Sequence, residues 1–271
     1  MTRNRQGTSE SFARDVLGCT TSFFGPVEVR SFLMINMEGR VPPIPFTKER
    51  LIRARDLGQS LYLFPDKDTR GKPLTIKGVC EILGNEVRGC NLFCLPHKSP
   101  FEEEAFYDEP IVPKPTWRLV TDDVIPFSLE RTHVRLLGRI ADYLQHNVYR
   151  GIELPKPYCE ALKEFEDEKD KLKKMRKDRW KKVAEGCAQL KISELFRETV
   201  GQTVFRLGIY LHINHRRLLS TVGTVSKSFT RGGVPFSVGP FESMVGINFD
   251  SFPCHGDPGE GVCFSEGGLE S

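Results

Sequence analysis

The period of the apolar positions changes several times along the chain. Residues 27–37, VEVRSFLMINM, carry the β-branched and apolar content of a strand, with Val27, Val29, Phe32 and Met34 inward. One slip in their alternation predicts a bulge or two short strands. Gly39 and the prolines at 42, 43 and 45 end that element. Thr47 then caps a short helix to about Leu57, with Leu51, Ile52, Ala54 and Leu57 on its apolar side and Gly58 as its stop. Residues 60–64 form a strand, and Thr75 caps a second short helix with Val79, Cys80, Ile82 and Leu83 inward. No glycine fingerprint follows a strand here, so the alternation is not a dinucleotide-binding unit. Residues 86–116 are interrupted by Pro96, Pro100, Pro110, Pro113 and Pro115 and by an acidic run at 102–104, which puts a boundary near 105–115.

Helical spacing returns after a short strand at 117–120. Ser128 is the expected cap of a helix over 129–147, with Leu136, Leu137, Ile140, Tyr143 and Leu144 inward. Pro157 suits the first turn of the next helix. That helix, over 160–190, is the dominant element: it contains no proline and one glycine, Gly186. Its first half is acidic, with Glu164, Glu166, Asp167, Glu168 and Asp170. Its second half is basic, with Lys171, Lys173, Lys174, Arg176, Lys177, Arg179, Lys181 and Lys182. Acid-before-base order supports it through pairs such as Asp167 with Lys171, and through the helix dipole. A thin apolar seam (Phe165, Leu172, Met175, Trp180, Val183, Cys187, Leu190) predicts a half-exposed helix able to receive a protein partner on Phe165, Leu172, Met175 and Trp180. Ser193 and Thr199 restart helices, and Thr199 with Gln202 forms a capping box before a central core helix over 204–211. Past Leu219, strand-like runs at 221–229, 234–238, 244–249 and 261–264, separated by glycine and proline turns, predict an antiparallel meander.

The expected fold is therefore α+β: short N-terminal helices and strands, a helical middle with one long charged helix, and a C-terminal antiparallel sheet. The chain divides into a flexible N-terminus (1–20), an α+β region (21–110), a helical region with the sheet (116–266) and a flexible tail (267–271). At 271 residues, with 39% apolar and 28% charged positions, it can bury a substantial core. A net charge of +3 excludes a strongly basic coat but allows a local basic patch. No apolar run is long enough to enter a membrane as a span, and the first 17 residues lack a signal-type apolar segment, so a cytoplasmic location and reduced thiols are expected.

Five groups of residues bear on chemistry. Cys80, Cys90, Cys94 and His97 supply soft donors for zinc, although Cys-x3-Cys-x2-His is not the paired knuckle spacing, and unconnected buried thiols are the commoner outcome; no cofactor is expected. His212 and His215, three apart, end the core helix beside Arg216 and Arg217, a set better suited to an anion than to a metal. Cys254, His255 and Asp257 have the composition of a nucleophile, base and acid, but neighbours on a strand point apart, and a hairpin loop is the simpler reading. Asp122 and Asp123 follow a strand and read first as a turn. The basic half of the long helix, joined by Arg216 and Arg217, is the strongest lead, a surface for phosphates. Three function classes follow: a binding or adaptor protein using the long helix on nucleic acid or a protein; a hydrolase or nuclease assembled from Asp122, Asp123, His133, His212, His215, His255 and Asp257; and a structural component.

Overall fold

The computed structural model describes residues 8–18, 22–83, 86–87, 90–91, 103–129, 132–175, 179–242, 246–251 and 260–268. Its fold is α+β, as the pattern predicts. In chain order the N-terminal part holds α1 (Glu10–Leu17), β1 (Phe23–Phe24), α2 (Pro26–Leu33), α3 (Lys48–Asp56), β2 (Gln59–Phe64), α4 (Ile76–Leu83), β3 (Glu86–Val87), β4 (Cys90–Asn91) and α5 (Ala105–Asp108). There follow β5 (Thr116–Thr121), α6 (His133–Tyr143) running into a π-helical turn (Leu144–Val148), α7 (Lys156–Lys174), α8 (Trp180–Gln189), α9 (Lys191–Phe196) and α10 (Val200–Asn214). The chain closes with β6 (Gly223–Phe229), β7 (Pro235–Glu242), β8 (Gly246–Ser251), β9 (Glu260–Gly261) and β10 (Ser265–Gly267).

A central sheet has the order β1-β2-β5-β10, with β1 parallel to β2 and the other pairs antiparallel. Against it lies α10, its start fixed by the expected capping box: Thr199 Oγ1 accepts from the Gln202 N–H at 3.2 Å, and Gln202 Oε1 from the Thr199 N–H at 3.0 Å. Phe205 of α10 meets Phe64 of β2 and Phe32 of α2, with ring centroids 5.2 and 5.8 Å apart. A second core gathers α6, the π turn, α7, α8 and α9 over Val225, Val262 and Phe264. The C-terminal sheet, β8-β7-β6-β9, is the predicted antiparallel meander from β6 to β8, and β9 joins β6 in parallel. Residues 260–267 tie the halves together, because β9 belongs to this sheet and β10 to the central one.

Several expectations are corrected. Residues 26–33 are helix α2, not strand. Gly25 sits at the N-cap, Pro26 at the first helical position, and the Glu28 carboxylate accepts the Gly25 N–H at 2.8 Å. Val29, Phe32 and Leu33 are buried at helical spacing, whereas Val27 and Met34, expected inward, are 66% and 74% exposed. The N-terminus is not loose throughout: α1 begins at a Ser9 cap and buries Ala13 and Leu17. At the other end, Gly267 is part of β10 rather than of a flexible tail. The proposed boundary at 105–115 does not separate two cores, since Phe106, Ile111 and Val112 pack in one cluster with residues of α1 to α4 and of α10 and with Phe236 and Cys263. The cap of α6 is at Thr132; Ser128 instead lies buried, its Oγ accepting the Val262 N–H at 3.1 Å. Ser193 likewise falls inside α9, which starts at Lys191.

The single long helix is two. Met175 turns extended (φ −61°, ψ 140°), ending α7, and α8 starts at Trp180. Both α7 and α8 pack against α6, so the apolar seam is buried in two pieces rather than along one rod. Gly186 of α8 allows the approach: a Cβ there would lie 2.9 Å from Leu172 Cδ2 of α7. Phe165, Leu172, Cys187 and Leu190 are buried in the second core, and Met175 and Val183 pack against it. The part of the seam at Phe165 and Leu172 is thus filled by the protein itself rather than kept for a partner. Among the described residues, α7 pairs its charges three apart rather than four, Lys169 with Glu166, Lys171 with Glu168 (2.9 Å) and Lys173 with Asp170 (3.6 Å).

Candidate functional site

The groove between α6 and α7 follows from the spacing of their side chains. On α6, Val134 and Ala141 face the core while Arg135, Arg139 and Asp142 rise beside them at intervals of three and four. On α7, Leu162 and Phe165 turn inward and Glu166, Lys169 and Lys173 stand one and two turns further along. Packing these apolar faces leaves a cleft of about 500 Å³ with an apolar floor and charged rims. Gly138 contributes no wall: a Cβ there would reach only Phe165 Cζ, at 3.9 Å.

Four bases, Arg135, Arg139, Lys169 and Lys173, line the groove with two acids, Asp142 and Glu166, and Lys173 is paired with Asp170 at 3.6 Å, which leaves one positive charge in excess. Arg139 Nη1 bonds Asp142 at 3.0 Å, and Lys169 bonds Glu166, a hydrogen bond that raises the lysine above its ordinary range. Such exposed pairs are worth roughly 0–1 kcal/mol, so an incoming anion can take either base. Arg135 makes no ion pair with any described residue.

Phe127 stands beside the groove. Its carbonyl accepts Arg139 Nε at 3.3 Å, and the Arg139 Cζ lies 5.5 Å from its ring centroid. The ring is 74% exposed, and the backbone has φ +61°. This residue follows Pro126 in a turn closed by the Ser128 N–H on the Ile125 carbonyl at 3.2 Å.

Of the ten bases singled out in the sequence, eight are among the described residues, and of these Lys173 is the one in the groove. Lys171 and Lys174 are exposed on α7, Lys182 on α8, and Arg179 at the N-cap of α8. Lys181 donates to the Gly232 carbonyl at 2.9 Å and sits over the Trp180 ring. Arg176 and Lys177 lie outside the described residues. Arg216 and Arg217 follow α10, on the other core. Arg135, Arg139 and Lys169 were missed, although a signal for them existed: Arg135 with Arg139, and Lys169 with Lys173, are each four apart, a basic row on each helix.

Among the described residues, the catalytic candidates do not gather into one arrangement. Asp122, half-buried after β5, faces Ser60 and Tyr62 of β2 and Arg206 and Tyr210 of α10. The Tyr62 hydroxyl donates to it at 3.5 Å. Burial pushes its carboxyl up to about 6, against the pull of Ser60, Arg206 and Tyr62. Arg206 is fully buried and bound to Glu198, Nη2 to Oε2 at 3.0 Å; burial opposes its charge, but the Glu198 carboxylate wins and the guanidinium is held above its ordinary value. Asp123 is exposed, its carboxylate accepting the Val124 N–H at 2.7 Å. His133 is buried on α6, where desolvation, with Arg197 nearby, pushes it down to about 3 and keeps it neutral. His212 contacts Ser31 Oγ at 3.0 Å and the Phe32 ring, while His215 is the exposed left-handed cap of α10. His255, Asp257, Cys94 and His97 lie outside the described residues. Cys80 is half-buried on α4, and Cys90 belongs to β4. Among the described residues no group of three His, Cys, Asp or Glu is placed to hold a metal ion, and no helix is long and apolar enough to cross a membrane. Comparison with protein-family models, with curated proteins and with solved structures finds no match to this chain.

Proposed function

We propose that this is a binding protein whose α6–α7 groove receives the phosphate groups of a nucleic acid. One observation carries the reading: two basic rows, Arg135 with Arg139 and Lys169 with Lys173, face each other across an open cleft floored by apolar side chains. Phosphate neutralisation by such rows is independent of sequence and releases counterions, so binding weakens with salt. For four contacts on a single strand, the logarithm of the affinity falls with the logarithm of salt at a slope of about −3. The lead moves from the basic half of the long helix to the neighbouring pair of helices, and keeps Lys173.

The test is fluorescence anisotropy of labelled oligonucleotides at low and physiological salt, with wild-type chain, the double variant Arg135→Glu/Lys173→Glu and, as a control on the other core, Arg216→Glu. Expected are affinities of roughly micromolar order at low salt, loss in the double variant and retention in the control. No binding at low salt, or loss in the control with retention in the double variant, removes the proposal.

A further inference from the structure

Phe127 breaks a local rule. The order Ile125-Pro126-Phe127-Ser128, closed by a hydrogen bond from the fourth residue to the first, puts proline second and a positive φ third. A turn of that kind favours glycine at the third position, because a side chain there is strained. The position carries instead a phenylalanine with φ +61° whose ring is 74% exposed. Burial does not explain the ring, and backbone geometry argues against it.

The turn is held from both sides. The Ile125 N–H donates to the Val262 carbonyl at 2.9 Å, and the Ser128 Oγ accepts the Val262 N–H at 3.1 Å. Phe127 is therefore presented on an anchored turn, and Arg139, one of the groove bases, lies against its ring and bonds its carbonyl. An exposed ring backed by a guanidinium, beside a basic cleft, is the combination by which proteins hold unpaired bases: phosphates track the charges and a base stacks on the ring. Strain kept at a functional position is also a known pattern.

We infer that Phe127 is a stacking platform for an unpaired nucleobase, so that the groove takes single-stranded rather than double-stranded nucleic acid. This rests on the phosphate-binding reading of the groove, and the experiment separates the two. The oligonucleotide is a labelled single strand of about twelve nucleotides, compared with an abasic strand of the same length and charge, a duplex, and a polyglutamate of matched charge. The proteins are wild type, Phe127→Gly and Phe127→Trp. Glycine suits the turn, so Phe127→Gly folds at least as well as wild type, which thermal unfolding verifies.

The expected result is that wild type prefers the base-bearing strand to the abasic one by roughly 5- to 150-fold, the factor one stacked base contributes. Phe127→Gly loses that preference and binds both strands as wild type binds the abasic one, while Phe127→Trp retains it. Equal binding of the two strands by wild type, or an unchanged preference in Phe127→Gly, overturns the stacking role and leaves the phosphate groove standing. Failure of every nucleic acid to bind at low salt, or binding of polyglutamate as tight as that of the base-bearing strand, defeats the groove reading and this inference with it. Tighter binding of the duplex overturns the single-strand preference alone.

Discussion

Replacing Asp122 by asparagine separates the two forces acting on that side chain. Its carboxyl lies half-buried against Tyr62 and Arg206 and is pushed from an ordinary 3.8 up to about 6. The folded protein therefore holds the proton more tightly than the unfolded chain. The stability contributed by Asp122 is complete below about pH 4 and is lost as pH rises through about 6. A shift of about two units corresponds to about 3 kcal/mol of cost at pH 7 for carrying the charge. Asparagine keeps an acceptor for the Tyr62 hydroxyl and has no charge to bury. Asp122→Asn should therefore stabilise the fold at pH 7.5 by up to about 3 kcal/mol, and by less than about 1 kcal/mol at pH 4, where the folded aspartate is already protonated. Urea unfolding followed by the fluorescence of Trp117, which is buried in the same core as Tyr62, measures both. A variant less stable than wild type at pH 7.5 would refute the reasoning, because it would mean that attraction to Arg206 outweighs the cost of burial. A gain equal at both pH values would refute it as well, since the gain would then not come from ionisation.

Glu198 and Arg206 form a buried pair, so Glu198→Gln leaves an uncompensated guanidinium and should cost about 3–5 kcal/mol. The joint replacement Glu198→Leu/Arg206→Met should cost clearly less, a difference that denaturant unfolding at pH 7.5 resolves. Gly138 and Gly186 should respond in opposite directions to alanine, as read by thermal unfolding. Gly138→Ala gains about 0.5–1 kcal/mol of helix propensity, because its Cβ meets nothing closer than 3.9 Å. Gly186→Ala loses that gain and about 1 kcal/mol more to the clash with Leu172.

The elements legible in the sequence are those whose signals are local. Thr47 and Thr75 cap α3 and α4 as read, the Arg50 N–H on Thr47 at 3.2 Å and the Gly78 N–H on Thr75 at 3.0 Å. The Thr199–Gln202 box announces α10, and the glycine turns announce the meander of β6 to β8. Failure came where local signals conflict. In α2 the β-branched run outweighed the start signal of Gly25, Pro26 and Glu28, although a proline two residues before a glutamate is what separates a helix start from a strand. In the long charged stretch, propensity favours continuing the helix past Lys174, whereas the fold sets Leu172 of α7 close to Gly186 of α8, an approach between residues the pattern places on one straight rod.

The groove was half visible for a related reason. Each helix displays its own basic row, since a four-residue spacing is local, but the pairing of α6 with α7 across Phe165 is tertiary. What binds the C-terminal end is equally non-local. Glu266 of β10 accepts Arg50 Nε of α3 at 2.8 Å and the hydroxyls of Tyr149 and Tyr158 at 2.6 and 3.0 Å, in a cluster the sequence scatters over more than two hundred positions. Burial raises both tyrosines far above their ordinary range, with the Glu266 carboxylate adding to it, so the hydroxyls stay protonated and act as donors. The same carboxylate that closes the central sheet thereby holds the start of α7, through Tyr158, and the end of the π turn that extends α6, through Tyr149. The two walls of the groove are fixed to one another at their connecting end by a buried charge. Walls pinned in this way have less freedom to splay before any ligand arrives, and lowering that ordering cost is what the proposed phosphate-binding role would draw on.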